Sequence, residues 1–144
     1  MAAKRFAVAV LAFAWVTQAL LGQETYKPSL KGDPAHSRAE AAALGYMRTV
    51  TDAQRAYKKK HQKYATSLQQ LVHNGSFTPR MVKTDRGDYT VAFRAPGKDR
   101  YSVQLTPKTF DAEHRAFYVE ENGVIKTEPD KPATADSPAL HPDQ

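Results

Sequence analysis

An apolar stripe at helical spacing in the first half of the chain limits the possible folds more than any other pattern. Asp33 followed by Pro34 has the form of a helix start, with a side-chain acceptor at the N-cap and a proline at the first helical position. The sequence predicts one amphipathic helix over residues 34 to about 60, about 40 Å long at 1.5 Å per residue. The apolar residues of its stripe recur at steps of three or four: Ala43, Tyr46, Met47, Val50, Ala53 and Tyr57.

Short segments with alternating apolar and polar residues follow, and they can cover that stripe. Asn122-Gly123 separates the last two and is a strong hairpin signal. Each segment has one apolar and one more polar face, which predicts an antiparallel sheet covered on a single side. The segments are residues 89–95, 100–106, 115–120 and 124–127.

A second, short helix is predicted over residues 64–72, between the long helix and the sheet. Thr66 or Ser67 can cap it, with Gln70 three residues after Ser67 as in a capping box. His73-Asn74-Gly75 supplies its end. The predicted fold class is α+β, with one long N-terminal helix and the short helix packed on a roughly four-stranded antiparallel sheet.

Residues 1–22 have the pattern of a secretory signal peptide. Two positive charges, Lys4 and Arg5, precede an apolar run of 16 residues at 6–21, which is shorter than a typical membrane-spanning helix. We expect cleavage after Gly22, with Ala19 as the other candidate. The alternative is an uncleaved N-terminal anchor. The predicted location is therefore periplasmic or secreted.

The rest of the chain divides by composition. Residues 23–33 contain Pro28 and Gly32 without periodicity and are interpreted as a linker. Residues 34–128 form the single predicted domain. Residues 129–144 contain four prolines and almost no large apolar side chain, which predicts a disordered tail.

Charge and cysteine content narrow the function classes. The chain of 144 residues has a net charge of +6, and loss of residues 1–22 removes two basic residues and no acid, which leaves +4. An exported protein does not meet the genome, so nucleic acid is not an expected partner. The absence of cysteine excludes thiolate nucleophiles and cysteine-type zinc sites. No histidine pair with helical metal-site spacing, nucleophile elbow or phosphate-binding glycine loop is present, so we predict no catalytic residues, no cofactor and no enzyme.

A basic run at the end of the predicted helix allows two interpretations. Positive charge in a last helical turn complements the helix dipole, which is a purely structural role. Alternatively, the run forms a surface that binds anions such as polysaccharides or phospholipid headgroups. The residues of this candidate surface are Arg55, Lys58, Lys59, Lys60 and Lys63.

Two segments carry a resemblance to a known family. Residues 40–57 (EAAALGYMRTVTDAQRAY) and residues 117–126 (FYVEENGVIK) are similar to parts of bacterial type IV pilins and type II secretion pseudopilins. With the order of predicted elements, the resemblance covers residues 35–127. It implies a pilin-like fold, a non-enzymatic structural or interaction role, and protein partners in a secretion or pilus apparatus. It also implies a possible calcium site in the loop before the third predicted strand, at Asp111 and Glu113.

The chain departs from this family at its start. The family's N-terminal cleavage motif, which continues into one unbroken apolar helix, is missing. Pro28, Gly32 and Pro34 separate the apolar run from the later helix. We therefore expect a free globular domain, without membrane association after cleavage. The alternative is a small periplasmic binding module for an anionic polymer or surface, with a cystatin-like helix-on-sheet fold.

Overall fold

A computed structural model describes residues 25–142. The predicted signal peptide and its cleavage site lie outside the described residues. Within them, the chain forms one α-helix, two short 3-10 helices and one five-stranded antiparallel sheet. The predicted α+β class is thus confirmed, with one strand more than expected.

The α-helix α1 spans Arg38–His61 and begins later than predicted. Ser37, not Asp33, is the N-cap, and its hydroxyl accepts a hydrogen bond from the Glu40 amide at 3.0 Å. The Asp33 carboxylate instead accepts from the Ala35 amide at 3.1 Å, in a turn before the helix. Asp33 and Ser37 therefore both accept a hydrogen bond from a backbone amide, but only Ser37 caps the helix.

The predicted short helix over residues 64–72 is reduced to a single 3-10 turn, Gln69–Leu71. The expected cap contacts form, since the Gln70 amide donates to the Ser67 hydroxyl and the Gln70 side chain accepts from the Thr66 amide. Val72 leaves the helical conformation with a ψ of 132° and ends the turn, and His73 follows with a left-handed φ of 67°. A second 3-10 helix, Pro79–Val82, follows.

The strands of the sheet lie side by side in the order of the chain, each antiparallel to its neighbour. They are β1 (Asp85–Arg86), β2 (Tyr89–Gly97), β3 (Arg100–Pro107), β4 (Ala116–Glu120) and β5 (Lys126–Glu128).

The sheet differs from the predicted one at both edges. The unforeseen strand β1 pairs with β2 through a tight turn at Gly87, whose φ is 71°. The last hairpin has a longer loop than predicted, since the Asn122 carboxamide accepts from the Val124 amide at 3.0 Å and pairing resumes only at Lys126. Val124 and Ile125 therefore lie in the loop and not in the strand.

The core lies between α1 and one face of the sheet, as the two periodicities predict. The stripe residues of α1 are buried, and so are alternate apolar residues of β2, β3 and β4, except Phe93, which is half-buried. The buried strand residues are Tyr89, Val91, Tyr101, Val103, Leu105, Phe117 and Val119.

The C-terminal segment corrects the prediction of a disordered tail. Over residues 129–142 the chain folds back along β5. The Thr127 amide donates to the Pro138 carbonyl at 3.0 Å, and the Leu140 amide donates to the Ile125 carbonyl at 2.8 Å. These backbone bonds satisfy the outer edge of β5, which would otherwise be unpaired. Prolines do not prevent this pairing, because here they supply carbonyl groups.

The same segment also covers part of the second face of the sheet, which was predicted to be open. Ala133 is fully buried, and its carbonyl accepts a hydrogen bond from the Gln104 side chain at 2.7 Å. The Lys126 ammonium donates to the Ala135 carbonyl. The sheet therefore has α1 on one face and part of the C-terminal segment on the other.

Candidate functional site

The end of α1 is strongly basic and is the first candidate site. Lys58, Lys59 and Lys60 lie in its last turn, and the chain then leaves the helix through Gln62, which has a φ of 60° and whose amide donates to the Lys58 carbonyl at 2.8 Å. Because carbonyl groups at a helix C-terminus carry partial negative charge, these ammonium groups stabilise α1. Lys63 follows directly and is exposed.

The fold adds a residue to this end that sequence analysis missed. The Tyr64 amide donates to the Lys98 carbonyl at 2.8 Å, so the turn between β2 and β3 lies beside the end of α1. The Tyr64 and Tyr101 rings pack edge to face with their centroids 4.9 Å apart, which stabilises this contact. In the sequence, Lys98 lies between two predicted strands, and no local pattern indicates that this turn lies near the end of α1. We call the set Lys58, Lys59, Lys60, Lys63 and Lys98 the lysine surface.

Two members of the lysine surface have defined neighbours. The Lys58 ammonium lies over the Tyr64 ring, 4.2 Å from its centroid, in a cation–π contact. The Lys60 ammonium lies 3.4 Å from the side-chain oxygen of Asn74. The amines at this end therefore extend to opposite sides of the helix, one toward the sheet and one toward the first 3-10 helix.

Arg55, the remaining member of the predicted basic surface, has a different environment. Its guanidinium pairs with the exposed Asp52 carboxylate at 3.1 Å. It also lies against Gly123 in the β4–β5 loop, where a Cβ atom would come within 2.9 Å of Nη2. The structure thus brings four of the five predicted basic residues together and turns Arg55 toward partners of its own.

The candidate calcium residues lie in the loop between β3 and β4, at the other end of α1. One Asp111 carboxylate oxygen accepts from the Glu113 amide at 2.8 Å and lies 2.7 Å from Nδ1 of His114. The hydrogen bond with His114 lowers the pKa of Asp111. Within residues 25–142, no three His, Cys, Asp or Glu side chains are placed so as to share a metal ion. Calcium binding at Asp111 and Glu113 stays a prediction.

His114 links this loop to the turn between β1 and β2. Its second ring nitrogen lies 3.4 Å from the Asp88 carboxylate. Partial burial would lower the pKa of His114, but the hydrogen bonds with Asp111 and Asp88 outweigh this effect and raise its pKa above the ordinary value of 6.5. A protonated His114 between two carboxylates therefore ties the two loops together.

A buried ion pair beside His114 was not identified from the sequence. Glu40, fully buried on α1, accepts from the backbone amide and from Nε and Nη2 of Arg115 at 2.8–3.0 Å. It also accepts from the His36 amide at 2.7 Å. The Ser37-x-x-Glu40 spacing is a capping-box signal, but it gives no indication that Arg115 completes the pair.

The ion pair fastens the start of α1 to the sheet. Arg115 also donates to the Pro34 carbonyl at 2.6 Å, and the Tyr89 hydroxyl donates to the Arg115 carbonyl at 2.9 Å. Among the described residues, every buried side-chain nitrogen or oxygen has a hydrogen-bond partner. The buried charges at this end therefore have a structural role.

The chain matches no protein-family model and no curated protein sequence. Of the helices in the described part of the chain, none combines the length and the apolar character that a membrane span requires.

Proposed function

We propose that this protein is an exported, non-enzymatic, pilin-like structural or interaction protein, accessory to a type II secretion or type IV pilus system. The observation that carries the proposal is the packing of α1 on a sheet whose strands follow one another in chain order. The two segments with pilin-like sequence fall on facing parts of this arrangement. Residues 40–57 lie on α1, and residues 117–126 run from β4 to the start of β5.

Contacts at and beside these two segments support the same proposal. Glu40, the first residue of one segment, pairs with Arg115, two residues before the other. Phe117 and Val119 of β4 are fully buried in the core that α1 covers. The similarity in sequence thus coincides with the parts that determine how the helix sits on the sheet.

The role as an interaction protein is tested by its partners. The protein, expressed from its full-length gene with a C-terminal affinity tag in its own host, is purified from the cell envelope and the culture medium. We expect components of a secretion or pilus apparatus to co-purify, as identified by mass spectrometry. A Glu40→Gln variant, which leaves the Arg115 charge buried without its partner, is the control for dependence on the native fold.

Two results would contradict the proposal. One is a protein that co-purifies with no secretion or pilus component from either fraction, although it is folded by circular dichroism. The other is the formation of abundant filaments by the purified protein in electron micrographs, because we expect a free globular domain.

A further inference from the structure

The lysine surface carries more charge than the surrounding structure balances. Among residues 25–142, none of its five ammonium groups forms an ion pair with a carboxylate, whereas Lys108 pairs with Asp85 at 2.8 Å and Arg115 with Glu40 at 2.8 Å elsewhere. The neighbouring acids are turned to other partners, since Asp52 pairs with Arg55 and Glu121 with Arg100. Only Asp99, beside Lys98 in the β2–β3 turn, adds an unpaired negative charge to this end.

Four of the five amines are open to a partner. Lys59, Lys60, Lys63 and Lys98 are exposed, and Lys58 is half-buried over Tyr64. The helix dipole accounts for positive charge in the last turn of α1. It does not account for Lys98, which the fold brings to the same end from a separate turn.

The direction of the amines restricts the shape of the partner. Lys58 extends toward Tyr64 and the β2–β3 turn, whereas Lys60 extends toward Asn74 on the other side of the helix end. A flat bilayer would meet only one of these two sides. A flexible chain with charges along its length can contact both sides.

The aromatic rings at this end restrict its chemistry. Tyr57 packs against the His61 ring at 4.2 Å, Lys58 covers one face of Tyr64, and Tyr101 is only 2% exposed. Single-stranded nucleic acids bind largely by stacking bases on open aromatic faces. Because Tyr57 and Tyr101 are buried and Lys58 covers a face of Tyr64, the surface suits a polyanion without bases.

The residue type agrees with recognition of charge density. Lysine presents a compact, hydrated point charge, whereas arginine presents a planar fork that selects individual carboxylates or phosphates. Arg55, the arginine of the predicted basic surface, is paired with Asp52, so the members of that predicted surface without an ion pair in the described part of the chain are all lysines. We propose that the lysine surface binds a linear acidic polysaccharide. This proposal is independent of the pilin-like assignment, since it rests on the charges and not on the resemblance.

Polygalacturonate is a suitable probe, and two variants of equal net charge make the test specific. The first variant combines Lys59→Gln, Lys63→Gln and Lys98→Gln in the lysine surface. The control combines Lys27→Gln, Lys31→Gln and Lys83→Gln, three lysines that are also exposed and also lack an ion pair. Binding is measured by isothermal titration calorimetry at about 50 mM salt and again at higher salt, with the protein purified from cells that express the full-length gene.

We expect the wild-type protein to bind polygalacturonate and to lose affinity as salt increases, because binding releases counterions from the polymer. The lysine-surface variant should bind about tenfold more weakly or worse, with a smaller salt dependence, and the control should stay within about twofold of the wild type. Neutral dextran should not bind.

Each other outcome overturns the proposal. Equal losses in the two triple variants would show that only total charge matters. Tighter binding to oligothymidylate or to phosphatidylglycerol vesicles than to polygalacturonate would assign the surface to another partner class. If the wild-type protein does not bind polygalacturonate at low salt, the lysine surface is not the proposed binding site. That result would not affect the pilin-like proposal.

Discussion

At the scale of single residues, Glu40 accepts four hydrogen bonds. Its two carboxylate oxygens accept hydrogen bonds from the backbone amides of His36 and Arg115 and from two guanidinium nitrogens of Arg115. Breaking a buried ion pair on one side leaves the other charge uncompensated, which destabilises a fold far more than the pair stabilises it.

Glu40→Gln should therefore lower the free energy of unfolding by about 3–5 kcal/mol. Urea unfolding followed by circular dichroism measures the change. Glu113→Gln is the matched control, because the Glu113 side chain is exposed and the residue contacts Ser37 through its backbone carbonyl. It should change the stability by less than about 0.5 kcal/mol. Equal effects of the two substitutions would show that the buried pair does not have this role.

His114 gives the fold a defined pH dependence. Because its pKa is raised in the folded state, the protonated ring stabilises the fold, fully so below its ordinary pKa of 6.5, and this contribution is lost as the pH rises through the folded-state value. Asp111 has a lowered pKa, so its contribution is present above its ordinary value of 3.8 and is lost as the pH falls through the folded-state value. The pair stabilises the fold most between these limits.

The difference in melting temperature between the wild type and a His114→Gln variant should accordingly be larger at about pH 5.5 than at pH 8. Thermal unfolding at both pH values measures it, and comparison with the variant cancels the titration of the other histidines. A difference that is independent of pH would contradict the proposed link between His114 and its two aspartates.

At this scale, the sequence predicts the local patterns of the helix and the strands. It does not predict the long-range contacts that the same residues make. The apolar faces of α1 and the strands follow from spacing alone, and the structure confirms them. Glu40, whose amide donates to the N-cap Ser37, pairs through its carboxylate with Arg115, 75 residues later. The sequence around Glu40 contains no information about Arg115. For the same reason, the sequence did not predict that Lys98 lies beside Tyr64.

At the scale of elements, the C-terminal segment is the part that composition predicted least well. Its low apolar content suggested disorder, but backbone hydrogen bonds to β5 and one small buried side chain, Ala133, account for much of its attachment. Amino-acid composition indicates how much apolar side-chain surface a segment can bury, but it does not predict backbone hydrogen bonds of this kind. The short helix predicted over residues 64–72 is also reduced, because only Gln69–Leu71 is helical and Val72 already has an extended ψ of 132°.

A disulfide can test the attachment of this segment. Lys126 and Ala139 face each other as an antiparallel bridge, with hydrogen bonds on either side and none directly between them. Such a pair brings the Cα atoms to about 4.5 Å, within the range of a disulfide. The chain has no cysteine of its own.

The double variant Lys126→Cys/Ala139→Cys should therefore form one intramolecular disulfide on oxidation. Closing a loop of about 14 residues should stabilise the oxidised form over the reduced form by about 3 kcal/mol. Thiol titration and urea unfolding of the two redox forms measure both effects, and the reduced protein is the control. Free thiols that persist under oxidising conditions would contradict the packed segment.

At the scale of the whole molecule, the two ends of α1 differ in charge. The lysine surface surrounds its C-terminal end. Asp88, Asp111 and Glu40 lie at its start, where the histidine and arginine partners described above balance them. The polarity of the molecule therefore follows the helix dipole, with cations at the negative end of the helix.

The predicted cleavage of the signal peptide would determine which chain carries this charge. We expect mass spectrometry of the native protein to find an N-terminus at Gln23, because the small residue Gly22 ends the apolar leader. An N-terminus at Leu20 would fit the second cleavage candidate. Native protein that still contains Met1 or Phe6 would contradict cleavage and would favour the anchored alternative.

The link between Glu40 and Arg115 also sets an order of events during synthesis. The anchor of the first helical turn is made about 75 residues after the turn itself, so a nascent chain shorter than 115 residues has nothing to fasten it to. Native closure must then wait until most of the polypeptide has left the ribosome. A chain that stays open for so long is well matched to threading through a translocation channel before it folds.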